Sequence, residues 1–433
     1  MIMLRRKITN VLNQWYETPN KGALFIKGSR GVGKSFIVEQ FAKEHYDNLI
    51  TINFETNPLH KSIFSGSLDM GNLTKQITLK LQTNKLVPKK TLIFLDEVHL
   101  CERARDAAPV FMEEGRFDVI MASSIYGGNQ AKFDTEIRED EHLIEMHSLD
   151  FEEFLWANGV SEQTISEVKQ HFEALTPIPI ALHEEFLNLF KEYMVVGGMP
   201  EVVYNFTHKH NFKTVIRLQK AIIRQYEKDI DKYLKKTDRR KVKQCLNALP
   251  AQLVKEYKKF QYGVVEDKGN ARKFESSILW LHDADMIHIS FQLEDFRLPL
   301  ANNARYDIFK VYYKDVGLLT GQLGALAQQE IIDNNLNVFN SAVLESSIAD
   351  LLIKQGHRLY YVQKTTNLSM EFMIRYNNIL TAISVNDADN TKAKAMDSLF
   401  ENHDITQGIE LTVDNIEVRG NLYRFPLYTI MFL

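Results

Sequence analysis

The eight residues Gly28-Ser29-Arg30-Gly31-Val32-Gly33-Lys34-Ser35 constrain this chain more than any other stretch. They satisfy G-x-x-x-x-G-K-[ST] at every fixed position, the pattern of a phosphate-binding loop. Glycines let the backbone fold tightly enough for successive N–H groups to converge on phosphate oxygens. Lys34 then reaches the β- and γ-phosphates, and the Ser35 hydroxyl is a Mg²⁺ ligand. Residues Gly28, Ser29, Arg30, Gly31, Val32, Gly33, Lys34 and Ser35 are therefore expected to hold a nucleotide's phosphates. The flanks agree. Ala23-Leu24-Phe25-Ile26 is a short apolar run of strand type, and Phe36, Ile37, Phe41 and Ala42 fall at helical spacing after the loop. A helix beginning there adds its N-terminal partial positive charge to the anion site.

Leu4, Ile8, Leu12 and Trp15 predict an opening amphipathic helix over 4–16, and 49–54 reads as a second strand. A helix is expected over 73–81. Thr91-Leu92-Ile93-Phe94-Leu95-Asp96-Glu97 reads as a central parallel strand covered on both faces. Asp96 at its carboxyl end is placed to hold Mg²⁺, and Glu97 to polarise an attacking water, which is a Walker B arrangement. A strand over 118–124 ends in Ser123 and Ser124, either of which is a candidate sensor of the γ-phosphate. Residues 142–149 fit a fifth strand. Alternation of five strands with helices implies a doubly wound parallel sheet. Arg138 is a candidate arginine finger, although Glu136 and Glu139 beside it suit an ordinary solvated arginine better. After Asp96 the chain continues Glu97-Val98-His99 rather than D-x-x-G, and no N-K-x-D follows. ATP is thus expected rather than GTP.

The length of 433 residues suits two to four domains. Cys101 and Cys245 form neither a disulfide framework nor a metal spacing, and the 13 histidines include no H-E-x-x-H, so zinc is not expected. No apolar run approaches the roughly 20 residues of a membrane span. Met1 to Lys7 carries charge without an apolar core behind it and does not read as a signal peptide, and two cysteines without a disulfide framework make a reducing, cytoplasmic location the expectation.

At Leu149-Asp150-Phe151-Glu152-Glu153-Phe154-Leu155, at Tyr193 to Val203 with its Gly197-Gly198-Met199-Pro200-Glu201 turn, and at Phe309 to Leu319, the chain resembles a known family. It is similar to prokaryotic AAA-type ATPases that carry a C-terminal domain like the PD-(D/E)xK nucleases. The resemblance implies an α/β fold: a doubly wound parallel-sheet P-loop ATPase core over 1–150, a helical lid over 151–235, a winged helix over 236–312, and an α/β restriction-endonuclease-like domain over 313–433. The family's Gly-Arg pair before the last core strand is replaced by Thr135-Glu136-Ile137-Arg138, which departs from its finger pattern.

From His208 to Phe260 the chain has 16 Lys and Arg against 5 Asp and Glu, although the whole carries only −4. Such a block is either a solvated helix face or an electrostatic footprint for nucleic acid. Helices over 240–257 and 271–284 and a strand over 286–291 follow the order of a winged helix, with Arg272 and Lys273 opening its recognition helix. DNA, a protein partner and a purely structural role remain alternatives for this module. In the last domain a helix over 341–355 and strands over 358–363, 369–375 and 378–385 are expected. Active nucleases of the resembled kind would place a carboxylate at Glu371 and Glu-x-Lys at Ser384-Val385-Asn386, with Glu345 matching a helix glutamate. Ser384 cannot replace a carboxylate nor Asn386 a lysine, so this domain reads as a contact module without nuclease chemistry. The expected function is Mg²⁺-dependent ATP binding and hydrolysis coupled to a DNA or protein partner, with no membrane. A nucleotide switch with little turnover is the alternative, and an ATP-gated nuclease a more remote one.

Overall fold

The computed structural model describes residues 4–124, 138–139, 141–255, 258–333, 338–365, 368–385, 390–402 and 405–433. It divides into two compact units, one of residues 5–148 with 283–285, the other of Leu4 with residues 149–282 and 286–433.

The first unit runs α1 (Ile8–Glu17), β1 (Ala23–Lys27), α2 (Lys34–His45), β2 (Asn48–Asn53), α3 (Met70–Leu81), β3 (Thr91–Asp96), α4 (Glu102–Asp106), α5 (Ala108–Met112), β4 (Asp118–Ser123) and β5 (Glu141–Glu145). The five strands form one parallel sheet in the order β2-β3-β4-β1-β5. Strand β3 is buried at every position. Its side chains alternate between the two faces, as the pleat requires. Ile93 and Leu95 pack with Ile50, Phe54 and Leu73, whereas Leu92 and Phe94 pack with Leu24, Ile37 and Phe41. Each such buried side chain contributes about 1.5–3 kcal/mol. The fifth strand ends at Glu145, short of the expected Leu149. Met146 still donates its N–H to the Lys27 carbonyl at 2.6 Å, but beyond it the chain leaves the sheet.

The second unit begins with α6 (Phe151–Ala157), α7 (Glu162–Glu173), α8 (Ile180–Val196), α9 (Pro200–Lys209), α10 (Phe212–Tyr233), α11 (Lys236–Leu253), α12 (Tyr262–Val265) and α13 (Ala271–Asp283). Strands β6 (Ile287–Leu293) and β7 (Ala304–Tyr313) follow, then α14 (Val316–Leu323), α15 (Ala325–Ile332) and α16 (Val338–Lys354). The chain closes with β8 (Tyr360–Thr365), β9 (Leu368–Met370), β10 (Phe372–Tyr376), β11 (Ile379–Val385), α17 (Asn390–Asn402), β12 (Gln407–Thr412), β13 (Glu417–Arg419) and β14 (Leu422–Pro426). Two sheets result, β7-β6-β8-β9 and β10-β11-β12-β14-β13. The single strand expected over 369–375 is therefore two. The chain changes sheets at Glu371, because β9 pairs with β8 while β10 pairs with β11.

The three segments that carry the family resemblance meet in this unit. Asp150 and Glu153 form a reciprocal capping box that starts α6. The Leu149 N–H donates to the Gly198 carbonyl at 2.7 Å, and the Tyr193 hydroxyl to the Leu149 carbonyl at 3.0 Å. Asp315 accepts from the Gly198 N–H at 2.8 Å and from the Gly317 N–H at 3.0 Å. A Cβ at position 198 would lie 1.9 Å from the Leu149 oxygen, so only glycine allows the two backbones to touch. Lys354 Nζ adds bonds to the Leu149 carbonyl, the Tyr193 hydroxyl and Asp350, all at 2.8–3.0 Å.

Burial pushes the Asp350 carboxyl up to about 7, with Lys354 opposing and Asp315 adding to the shift. A carboxyl raised in the folded state favours folding while it is protonated. That contribution is complete below the ordinary carboxylate range near 4 and is lost as pH rises through 7. The difference in unfolding free energy between the protein and Asp350→Asn should change between pH 4 and 7, by up to about 4 kcal/mol at about 1.4 kcal/mol per pH unit, and level off above pH 7. Denaturation at several pH values checks this; a flat difference would refute it.

A second buried set surrounds Glu345 on α16. Its carboxylate accepts from Lys258 at 2.5 Å, Lys310 at 2.8 Å and the Tyr312 hydroxyl at 2.6 Å. Burial alone would push this carboxyl up, but the two ammonium groups outweigh it and hold the group well below the usual carboxylate range. Glu345→Gln leaves two buried cations without their counter-charge and should cost about 3–5 kcal/mol in urea denaturation. Glu345→Gln combined with Lys310→Met should recover part of that loss.

Candidate active site

Parallel strands place their carboxyl ends at one edge of the sheet, where ligands of such folds bind. Register then decides which residues meet there. Asn53 lies opposite Asp96, Asp96 opposite Ala122, and Ser123 opposite Lys27, the residue before the phosphate loop. Glu97, Ser124 and Gly28 therefore leave the sheet side by side. Gly33 ends the loop at φ 99°, a left-handed conformation that glycine adopts without strain, and Lys34 opens α2. The Arg6 guanidinium steadies the loop by donating to the Val32 carbonyl at 3.0 Å and to the His147 carbonyl at 2.7 Å.

Lys34 is buried. Its ammonium donates to the Gly28 carbonyl at 2.7 Å, the Ser29 carbonyl at 3.1 Å and the Ser124 hydroxyl at 3.0 Å. Burial lowers its pKa, against the pull of Glu97 and Asp96. Asp96 accepts through Oδ2 from the Ser35 hydroxyl at 2.9 Å and from Asn53 Nδ2 at 2.7 Å. Its other oxygen, Oδ1, is buried without a hydrogen-bond partner among the described residues. Burial raises the Asp96 carboxyl, and neighbouring Glu97 adds to the shift. A buried carboxylate oxygen left open beside a serine hydroxyl and a second carboxylate is a donor set that fits a hard divalent cation. Ser35 and Asp96 are the residues that would hold Mg²⁺.

Glu97 follows Asp96 in a left-handed conformation, φ 55°. One carboxylate oxygen accepts from the Ser124 N–H at 2.9 Å and the other from the Ser124 hydroxyl at 2.7 Å. His99 Nδ1 lies 3.3 Å from Glu97 and 2.9 Å from the Ser123 hydroxyl. Ser123 and Ser124 thus touch Glu97 or its neighbour directly, and the Ser124 hydroxyl joins Lys34 to Glu97.

Other expected site residues are committed elsewhere. Arg30 donates through Nη2 to both Glu55 carboxylate oxygens, at 2.7 and 2.8 Å. Arg138 donates to Asp106 at 2.6 Å, so a finger role would require opening that pair. In the C-terminal half, Glu371 accepts from the Val385 N–H at 3.2 Å. Ser384 lies in register with Glu410, which Arg424 engages at 2.8 Å. Asn386 lies outside the described residues. Three contributors were not expected from sequence: Asn53, Glu55 and His99. Asn53 ends β2 as Asp96 ends β3, a parallel that sequence spacing offers only once strand pairing is known.

Residues 20–155 match the family model described as AAA domain. The parallel five-stranded sheet of the first unit matches a P-loop ATPase fold, and its sequence over these residues is similar to the AAA domain. Residues 187–329 match a second model, described as a domain of unknown function, DUF8612. No curated protein matches the sequence. Among solved structures, the chain is similar to the Walker-type ATPase PABY2304 of Pyrococcus abyssi, at 14% identity and TM-score 0.41, over 74% of this chain and 96% of that one. It is also similar to a single-residue variant of RuvB from Thermotoga maritima, at 13% identity and TM-score 0.30, over 65% and 87% of the two chains. The likeness to C. elegans PCH-2 is weaker, at 13% identity and TM-score 0.26, over 45% and 58%. Scores this low carry no functional argument. Among the described residues, no helix is long and apolar enough to cross a membrane.

Lys34→Ala removes the ammonium from the loop while β1, α2 and the two packed faces of the sheet remain. ATP binding in titration calorimetry should fall at least about 100-fold, the loss of a charge-assisted contact of about 3 kcal/mol. The circular dichroism spectrum should not change. Equal affinities would remove Lys34 from the site.

Proposed function

We propose that this protein is a Mg²⁺-dependent ATPase that hydrolyses ATP to ADP and phosphate and couples the cycle to a macromolecular partner. The observation that carries the reading is the meeting of Lys34, Ser35, Asp96 and Glu97 at one sheet edge, with Ser124 bonded to both Lys34 and Glu97. The loop N–H groups bind phosphate oxygens. Lys34 gives up its bonds to the Gly28 and Ser29 carbonyls and meets the β- and γ-phosphates. Bound at Ser35 and Asp96, Mg²⁺ supplies charge neutralisation on those oxygens. Glu97 leaves Ser124, accepts a hydrogen bond from the attacking water and holds its proton as the new P–O bond forms and the bond to ADP breaks. Ser124, relieved of Glu97, is placed to report whether a γ-phosphate is present.

A nucleotide switch is the second reading, and one observation favours it. Both oxygens of Glu97 are engaged by Ser124, so the water-activating carboxylate is at rest in a bonded position. For the second unit we propose a helical lid, a DNA- or protein-contacting winged helix, and a C-terminal contact module. The order α11, α12, α13, then the antiparallel pair β6 and β7, supports the winged helix. The engagement of Glu345 by Lys258 and Lys310 and the serine at 384 support contact over nuclease chemistry.

Glu97→Gln should keep ATP affinity within about twofold and lower phosphate release about 10²–10⁴-fold, the range of a lost general base. Phosphate release with Mg²⁺ and ATP, beside titration calorimetry, measures both. Equal and slow release by the parent and Glu97→Gln, with ATP binding intact, would select the switch.

A further inference from the structure

The basic block from 208 to 260 separates into spent and unspent cations. Lys258 is buried on Glu345. Lys243 pairs with Asp231 at 2.6 Å, and the Arg239 Nε donates to the Leu234 carbonyl at 2.6 Å, which holds that guanidinium in place. Lys236 and Arg240 are exposed and make no ion pair within 4 Å or side-chain hydrogen bond among the described residues, although Arg240 lies near enough to Glu266 to help Lys273 hold that carboxyl down. These four cations stand at positions 236, 239, 240 and 243 of α11, the i, i+3, i+4, i+7 spacing that puts them on one helix face. This face lines an open groove of about 890 Å³ together with Val264 and Val265 of α12. Farther along the same face the lining changes to Gln244 and to Asn247, whose Nδ2 donates to Glu227 at 3.3 Å, and then to Ala248 and Ala251. Asp231 is the acidic residue in the lining, and Lys243 already neutralises it.

A merely solvated cationic face needs neither a hollow nor a graded lining. This one presents charge, then amides, then small apolar side chains within one groove. We infer that the groove along α11 binds a single strand of nucleic acid, with phosphates on the Lys236–Lys243 turns and a base at the amide and alanine end. Guanidinium forks match phosphate oxygens. The Gln244 amide and the Asn247 side-chain oxygen can meet a base edge, and the alanines and valines leave apolar room for its face, both of which a duplex keeps stacked and paired. An acidic peptide would use the cations but not the graded lining. The opening turn of α13 offers less: Lys273 is engaged by Glu266, which leaves Arg272 as its one cation among the described residues without an ion pair. This inference rests on the reading that a nucleic acid is a partner, and it does not depend on ATP turnover.

Fluorescence anisotropy on the full chain with a short labelled oligonucleotide, single-stranded or duplex, tests it between about 50 and 200 mM salt. Lys236→Glu with Arg240→Glu should weaken single-strand binding at least about tenfold and reduce the slope of log affinity against log salt by about 1.4, at about 0.7 per phosphate contact. Gln244→Ala with Asn247→Ala should weaken binding several-fold and leave the slope unchanged. Arg272→Glu should stay within about twofold. Unchanged ATP affinity and unfolding midpoint confirm that each variant is folded, and Gln in place of Glu serves if a reversal does not fold. Losses centred on Arg272, or preference for duplex, would overturn the groove while keeping nucleic acid as partner. No retention of either oligonucleotide at about 50 mM salt would overturn both. Binding of poly-glutamate in preference, abolished by the same charge reversal, would assign the groove to an acidic protein segment.

Discussion

Three ionisable groups, Lys34, Asp96 and Glu97, are buried at one edge of one sheet, and much of the first unit exists to hold them there. Removing a charge from water costs several kcal/mol unless partners replace the lost hydration. The replacement is incomplete at this site. Lys34 is met by two carbonyls and a hydroxyl, but Asp96 keeps an oxygen without a hydrogen-bond partner among the described residues. The shifts of Lys34 and Asp96 both go against the charged form, and both have burial as their leading cause. A polyphosphate with its metal ion brings the complementary charges. Binding there is therefore coupled to relief of an electrostatic cost that the folded protein already carries.

The Glu345 set shows the opposite condition. Its carboxylate is likewise buried, yet two lysines and a tyrosine fill its bonding positions. Such a group has little left to offer a metal ion. The contrast separates two uses of buried charge by counting partners: an open oxygen at Asp96 is ready for a ligand, whereas the bonds at Glu345 tie α16 to β7 and to the segment at Lys258. Stability of the second unit thus rests on saturated polar knots, at Glu345 and at the Leu149–Gly198–Asp315 crossing, as well as on its apolar clusters.

Ser124 gives the first unit its mechanical link. One hydroxyl serves Lys34 and Glu97 together. In the proposed cycle, a phosphate that drew Lys34 away would also remove a partner from Ser124, and the hold on Glu97 would change with it. The coupling needs no long pathway, because Glu97 and Ser124 follow neighbouring strand ends and Lys34 opens the helix beside them.

Much of this was legible in the residue order. The phosphate loop, the apolar run ending in Asp96-Glu97 and the alternation of strand and helix are local patterns, and local sterics and hydrophobic period determine them. The five core strands and the helix after the loop fall where those patterns placed them, apart from the early end of β5. What the sequence by itself could not decide are the properties set by register and long-range pairing. Asn53 becomes a partner of Asp96 only because β2 and β3 pair in parallel at that register. The chain breaks at Glu371 because two sheets compete for adjacent residues, which no period-2 pattern reveals. Of the cations in the basic block, composition counts all alike. Tertiary structure alone spends Lys258 on Glu345 and Lys243 on Asp231, and leaves Lys236 and Arg240 open on a groove, because a charge's meaning depends on which carboxylate the fold brings within reach.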